Sequence, residues 1–453
     1  MDLSSFDGWL QQIFNAGPQN QEAINSLHAF VETPEALSVI LNAISSGNLS
    51  KNSLLISLSC IPRCKIISAD QFNYVKEWFS DFCFKRAEFL IDDSLISLLV
   101  NIFIFLYEND QRTGSDLIQK LADSGPNQCI LSLQISTQII LKAENSNGLA
   151  YLIPVATIPF SYDESSDRLI DSAAFLLKTI ISKKTIESQH YPLIIMREFL
   201  RIGFPRRLFY FIHKFNGSKI PEHLFILLTE LLKFPNSSFA TQSTREEFVF
   251  QTINELINYI TKFKIPETEY SSIAILLTTL KSIVSKEKQF NAINQEFLII
   301  WIQTIANLTL QLIDPSFLIS STSPAEFILD FWRDPINKGF ISSQEEDKAR
   351  NVLQDAVIKI FFSQESVQNQ NLIYQILSDE TSLFMQKFVS TCKFNEICSI
   401  SECISNSLSY FIEVNSLLNA AFCIEFFAYA IRELVPYANK VMDSVVGTSL
   451  KLF

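Results

Sequence analysis

The sequence predicts an all-α fold: an α-α superhelix, a HEAT/ARM-like solenoid of antiparallel helical hairpins. Three observations carry that expectation. Glycine is scarce, ten residues in 453, and no two lie closer than nine positions apart, against an average usage of about 7%. Phenylalanine is abundant, at thirty-nine residues, and falls with Leu and Ile at helical spacing. Proline marks helix starts, as in Thr33-Pro34 and Ser323-Pro324, where its missing N–H costs nothing. Glycine supplies left-handed turns and close backbone approach. Its scarcity therefore counts against sheets, hairpins and phosphate-cradling loops.

Taken in order, helices are expected over 4–15, 20–31, 34–46, 49–60, 70–83, 87–107, 114–123 and 128–144. Thr33-Pro34-Glu35 caps the third of these, and Leu37, Ile40, Leu41 and Ile44 form its apolar face. A long loop follows over 145–164, with Pro154 and Pro159 and a brief extended piece at Val155–Ile158. Helices resume at 166–182, 190–202, 206–214, 221–233, 243–263, 268–286 and 290–314. Pro221 opens the run Leu224, Leu227, Leu228, Leu231 and Leu232, and Pro266 opens Ile273, Leu276, Leu277, Leu280 and Val284. The last set is 323–334, 343–362, 367–378, 381–393, 395–411, 413–434 and 436–450, the first of them opened by a Ser323-Pro324-Ala325-Glu326 capping box. Connections are short, so neighbours should pack antiparallel. Helix pairs recurring at about 40 residues match the HEAT-type period.

Bulk chemistry narrows the function classes. A net charge of −12 argues against a phosphate-backbone binder, which needs clustered Lys and Arg. It suits basic protein partners. No signal peptide is read in MDLSSFDGWLQQIF. The most apolar stretch, LISLLVNIFIFLY at 95–107, is too short to cross a hydrocarbon core of about 30 Å and reads as a buried helix, so membrane insertion is not expected. Eight scattered cysteines fit reduced thiols, and the sequons at Asn216 and Asn307 are then irrelevant.

A Walker loop, a dinucleotide fingerprint and a nucleophile elbow each need closely spaced glycines, which this chain lacks. His28, His190, His213 and His223 are dispersed, although His213 and His223 could meet across a helical turn. Cys60 and Cys64 lack a second ligand pair, and Cys392, Cys398 and Cys403 have no zinc-like spacing. No enzyme activity, metal or cofactor is expected. Phe82, Phe84, Phe89, Phe103 and Phe105 read as core. Asp92-Asp93 reads as a helix cap or a partner-facing pair. Arg206-Arg207, at a helix start where a cation is mildly unfavourable, reads as a partner contact or a solvated edge.

The order of segments carries a resemblance. QNQEAINSLHAFVETPEALSVILNAISSGNLSKNSLLISLSC, from position 19, is similar to the N-terminal region of importin-β-type transport receptors. QFNYVKEWFSDF (71–82) and DSLISLLVNIFIFLY (93–107) resemble the third repeat of exportins. IPFSYDESSDRLIDSAAFLLK (158–178), ESQHYPLIIMREFL (187–200) and FPNSSFATQSTREEFVFQTINELINYI (234–260) resemble the exportin seven, or Ran-binding protein sixteen, branch. PETEYSSIAILLTTLKS (266–282) and SPAEFILDFWRD (323–334) continue in the same order. The likeness runs over about 5–335.

This resemblance implies three regions: 1–144 as N-terminal repeats with a Ran-binding region, 145–335 as exportin-like HEAT repeats, and 336–453 as further helical repeats. It implies a nuclear transport receptor that binds the GTP form of the small GTPase Ran, protein cargo and nuclear pore proteins, and shuttles between cytoplasm and nucleus. GTP would be held by Ran, not by this chain. The inner helices would be 20–31, 49–60 and 87–107, with Glu22, Asn25, Ser53, Ser57, Asp92 and Asp93 as the polar positions facing Ran. Family members are usually much longer, and the C-terminal arch that would complete the ring is not expected here. The other class is a HEAT-like scaffold or regulatory subunit that does not engage Ran.

Overall fold

A computed structural model describes residues 3–17, 20–65, 68–85, 92–109, 111–142, 152–182, 190–286, 295–333, 342–378 and 383–435. The described chain is all-α, with 23 helices and no strand among the described residues. Its contacts divide it into two compact units, 1–203 and 204–453.

Unit one contains α1 (Leu3–Ala16), α2 (Gln21–Val31), α3 (Ala36–Ser46), α4 (Lys51–Cys60), α5 (Ala69–Lys85), α6 (Asp93–Asn109), α7 (Gln111–Ser124), α8 (Pro126–Lys142), α9 (Leu152–Thr157), α10 (Asp167–Ser182) and α11 (His190–Arg201). Two rows form. In one, α1, α4, α6, α8 and α10 lie side by side; in the other, α2, α3, α5, α7, α9 and α11 do. Rungs between the rows are the pairs α1–α2, α3–α4, α5–α6, α7–α8 and α9–α10. Each helix thus buries one face on its partner and two flanks on its row neighbours, which is why so many positions are apolar. In α6, Leu95, Ile96, Leu99, Val100, Ile102, Phe103, Ile104 and Leu106 are all buried, each worth about 1.5–3 kcal/mol. The apolar stretch is a core helix. Phe82 is buried too, Phe84 and Phe105 are half-buried, and Phe89 lies outside the described residues.

Unit two contains α12 (Arg206–Lys214), α13 (Ile220–Leu232), α14 (Gln242–Lys262), α15 (Tyr270–Lys286), α16 (Gln295–Leu312), α17 (Pro315–Leu318), α18 (Ser323–Arg333), α19 (Ser342–Phe361), α20 (Gln370–Ser378), α21 (Phe384–Thr391), α22 (Phe394–Glu413) and α23 (Leu417–Leu434). One row runs α12, α14, α16, α19; the other runs α13, α15, α18, α21, α23. Asn415, at φ 54°, turns the chain between α22 and α23; asparagine tolerates that left-handed backbone. The Ser416 N–H closes the turn on the Phe411 carbonyl at 2.8 Å.

Several expectations are corrected. The long loop over 145–164 with an extended piece at Val155–Ile158 is instead helix α9 followed by a 3₁₀ turn over Ile158–Ser161. Leu152, Ile153, Val155 and Ala156 are fully buried, so packing on every side overrides their β preference. Residues 143–151 lie outside the described set, as does the helix expected over 436–450. The Thr33 hydroxyl does not open α3; it donates to the Phe30 carbonyl at 2.8 Å, closing α2, and α3 begins at Ala36. Pro266 precedes a 3₁₀ turn, and α15 starts only at Tyr270. α17, a one-turn helix capped by Asp314, was not anticipated.

Candidate functional site: an amide-lined groove

The outward face of the row α6–α8–α10 holds a hollow of about 390 Å³, within the usual range for ligand sites. Helical spacing builds it. Ser97 and Asn101 lie four residues apart on α6, Gln134 and Gln138 four apart on α8, and Asp171, Ser172 and Phe175 on one turn of α10. Ser97 and Thr137 direct their hydroxyls into their own helices, to the Asp93 carbonyl at 2.8 Å and the Leu133 carbonyl at 2.9 Å. The side-chain amides of Asn101, Gln134 and Gln138 make no hydrogen bond within the described chain. An amide offers two donors and an acceptor, so the three present a neutral, two-way hydrogen-bonding surface beside the exposed Phe175 ring. Asp171 is the one ionisable residue that lines it.

A second hollow, about 630 Å³, lies in the other row between α3 and α5. Trp78 and Phe82 stack at 5.3 Å along its floor, and its rim charges Asp81 and Lys85 pair with each other.

The sequence-predicted positions are dispersed. α4 and α6 share a row, but α2 stands in the other, so Glu22 and Asn25 do not join the remaining four on one face. Both are exposed, and Asn25 accepts from the Gln21 amide at 3.0 Å. Ser53 and Ser57 are buried. α1 flanks α4, and Ser53 Oγ donates to the Asp7 carbonyl of α1 at 3.3 Å. Ser57 Oγ is buried without a partner. Asp92 caps α6 through the Ser94 N–H at 3.0 Å and pairs with Lys51, which holds its carboxyl below the usual carboxylate range. Asp93 pairs with Arg168.

Arg206 lies 3.9 Å from Glu255 of α14, and the Arg207 guanidinium sits 5.0 Å from the Tyr210 and Phe211 ring centres. His213 stacks on Tyr259 at 5.5 Å and on Phe263 at 4.5 Å, and burial lowers its pKa. Among the described residues no group of three His, Cys, Asp or Glu could hold a metal, and no helix is long and apolar enough to cross a membrane. Cys60 and Cys64 are both buried, and burial pushes the Cys64 thiol up to about 12, so both are protonated packing groups.

Sequence reasoning missed two arrangements. One is the groove itself, whose amides come from helices 33 or more positions apart and carry no local signature. The other is a buried ionic network in unit two. Lys281 of α15 donates to Glu346 of α19 at 2.6 Å and to the Phe331 carbonyl of α18 at 2.5 Å. Arg350 lies 3.9 Å from Glu346 and 3.3 Å from Asp347, and reaches the Thr391 carbonyl of α21 at 3.4 Å. Lys281, Glu346 and Arg350 are all buried.

No protein-family profile, curated protein or solved structure matches this chain.

Proposed function

We propose that the protein is a transport receptor of the exportin type, binding Ran in its GTP form and protein cargo along its stacked helices and shuttling between cytoplasm and nucleus with nuclear pore proteins as further partners. The observation that carries the reading is the row α6–α8–α10, which presents amides unpaired among the described residues in an open groove. Such a surface suits polypeptide, whose backbone alternates donors and acceptors. The collinear resemblance to importin-β-type receptors supports the choice of Ran. No nucleotide, nucleic acid or cofactor contact is assigned to this chain.

The test is capture of purified Ran loaded with GTP, with Ran bound to GDP as control. Strong capture of the GTP form alone is expected. Equal capture in both states, or none, sinks the receptor reading. A scaffold that does not engage Ran is the second reading, favoured by one observation: Ser53 and Ser57 are buried, and Asp92 and Asp93 are already paired within the chain.

A further inference from the structure

α23 is apolar on two opposite faces. Asn419, Phe422, Cys423, Phe426 and Ala430 are buried in unit two. On the far side Leu417, Ile424, Ile431 and the C-cap residue Val435 are 69%, 60%, 64% and 62% exposed, with exposed Ala421 and Ala428 between them. These six fall at alternating intervals of four and three, the spacing of a coiled-coil seam.

We propose that the protein forms an antiparallel homodimer in which the seam of α23 packs on the same seam of a second copy. The order of residue sizes selects that occupant. Pairing α23 with itself antiparallel about Phe426 sets Leu417 against Val435, Ala421 against Ile431 and Ile424 against Ala428. Every alanine meets an isoleucine, so large side chains fill the space left by small ones. A two-fold interface demands this self-complementarity, because the same patch supplies both sides. Parallel pairing would stack isoleucine on isoleucine and leave gaps at the alanines.

An 18-residue helix gives a contact about 27 Å long. That is the small end of specific interfaces, so dimerisation should depend on concentration. Ile412 and Val414, 62% and 45% exposed just before Leu417, extend the apolar area at each end.

The test is sedimentation velocity of the full chain over a concentration series, with Ile424→Glu/Ile431→Glu as the disrupting variant and far-UV circular dichroism to verify its fold. Wild type should pass from 51.7 kDa to twice that mass, and the variant should lose the heavier species. Register is read independently with Ile424→Cys and Ala428→Cys chains in a Cys398→Ser/Cys403→Ser background. A cross-linked dimer should form when the two are mixed and not in either alone. A chain that stays monomeric at every concentration, a dimer that survives both glutamates, or self-cross-linking of each cysteine variant alone would overturn the proposal. The outcome does not depend on Ran capture, since the seam and the groove lie in different units.

Discussion

At the scale of single residues, Glu269 is the most exacting position. It is fully buried between α14 and α15, its Oε2 accepts from the Tyr259 hydroxyl at 2.5 Å, and its Oε1 has no partner. Burial first, then the nearby Glu222 carboxylate, pushes its carboxyl up from 4.5 to about 7. Because the folded-state value lies above the unfolded one, the native state favours the protonated acid. That contribution is fully present below about 4.5 and is lost as pH rises through about 7. Glu269→Gln keeps an acceptor for Tyr259 without the charge. The variant should match wild type near pH 4.5 and exceed it above pH 7 by roughly 1–3 kcal/mol, read by denaturant unfolding at both pH values. A variant no more stable than wild type at the higher pH would refute the assignment.

At the scale of elements, the network around Glu346 ties α15, α18, α19 and α21 together. Removing one member of a buried ion pair leaves the other charge uncompensated. Glu346→Ala takes the carboxylate partner from the buried Lys281, while Arg350 keeps Asp347, and should cost about 3–5 kcal/mol. Asp81→Ala, which breaks the exposed pair with Lys85 on α5, should cost no more than about 0.5 kcal/mol. Chemical denaturation of the two variants side by side checks the contrast, and equal losses would mean the buried network carries no special weight. Helix positions were legible because period and proline placement are local signals, as the match of α12 to 206–214 illustrates. The network was not legible. Lys281 and Glu346 are 65 positions apart, and a charged residue in a polar-looking window reads as surface until the neighbouring helices are in place. α9 was lost for the reverse reason: two prolines within and beside a six-residue segment read as a loop, while the packing around them is helical.

At the scale of the whole molecule, the candidate site divides into a legible and an illegible part. That some polar positions on alternate helices of the first unit would face outward followed from hairpin geometry. Which helices share a row did not, because α1 rather than α2 flanks α4, and this moved Ser53 and Ser57 into the interior. The groove amides give the cleanest functional test. Among the described residues Asn101, Gln134 and Gln138 make no side-chain hydrogen bond, so the triple alanine variant should retain wild-type stability within about 0.5 kcal/mol per site. It should nevertheless lose most of its capture of the GTP form of Ran. Unchanged capture would move the contact surface elsewhere on the fold.

The ionic network has one more consequence. In a stack whose layers touch only their neighbours, each hairpin can in principle melt separately from either end. The buried pair between Glu346 of α19 and Lys281 of α15 removes that freedom: whichever helix opens first leaves the other with an unneutralised charge. Glu346 therefore acts as a cooperativity lock, making the middle of the second unit unfold as one block. Protection of its backbone amides in native-state hydrogen exchange would be uniform there, rather than graded from helix to helix.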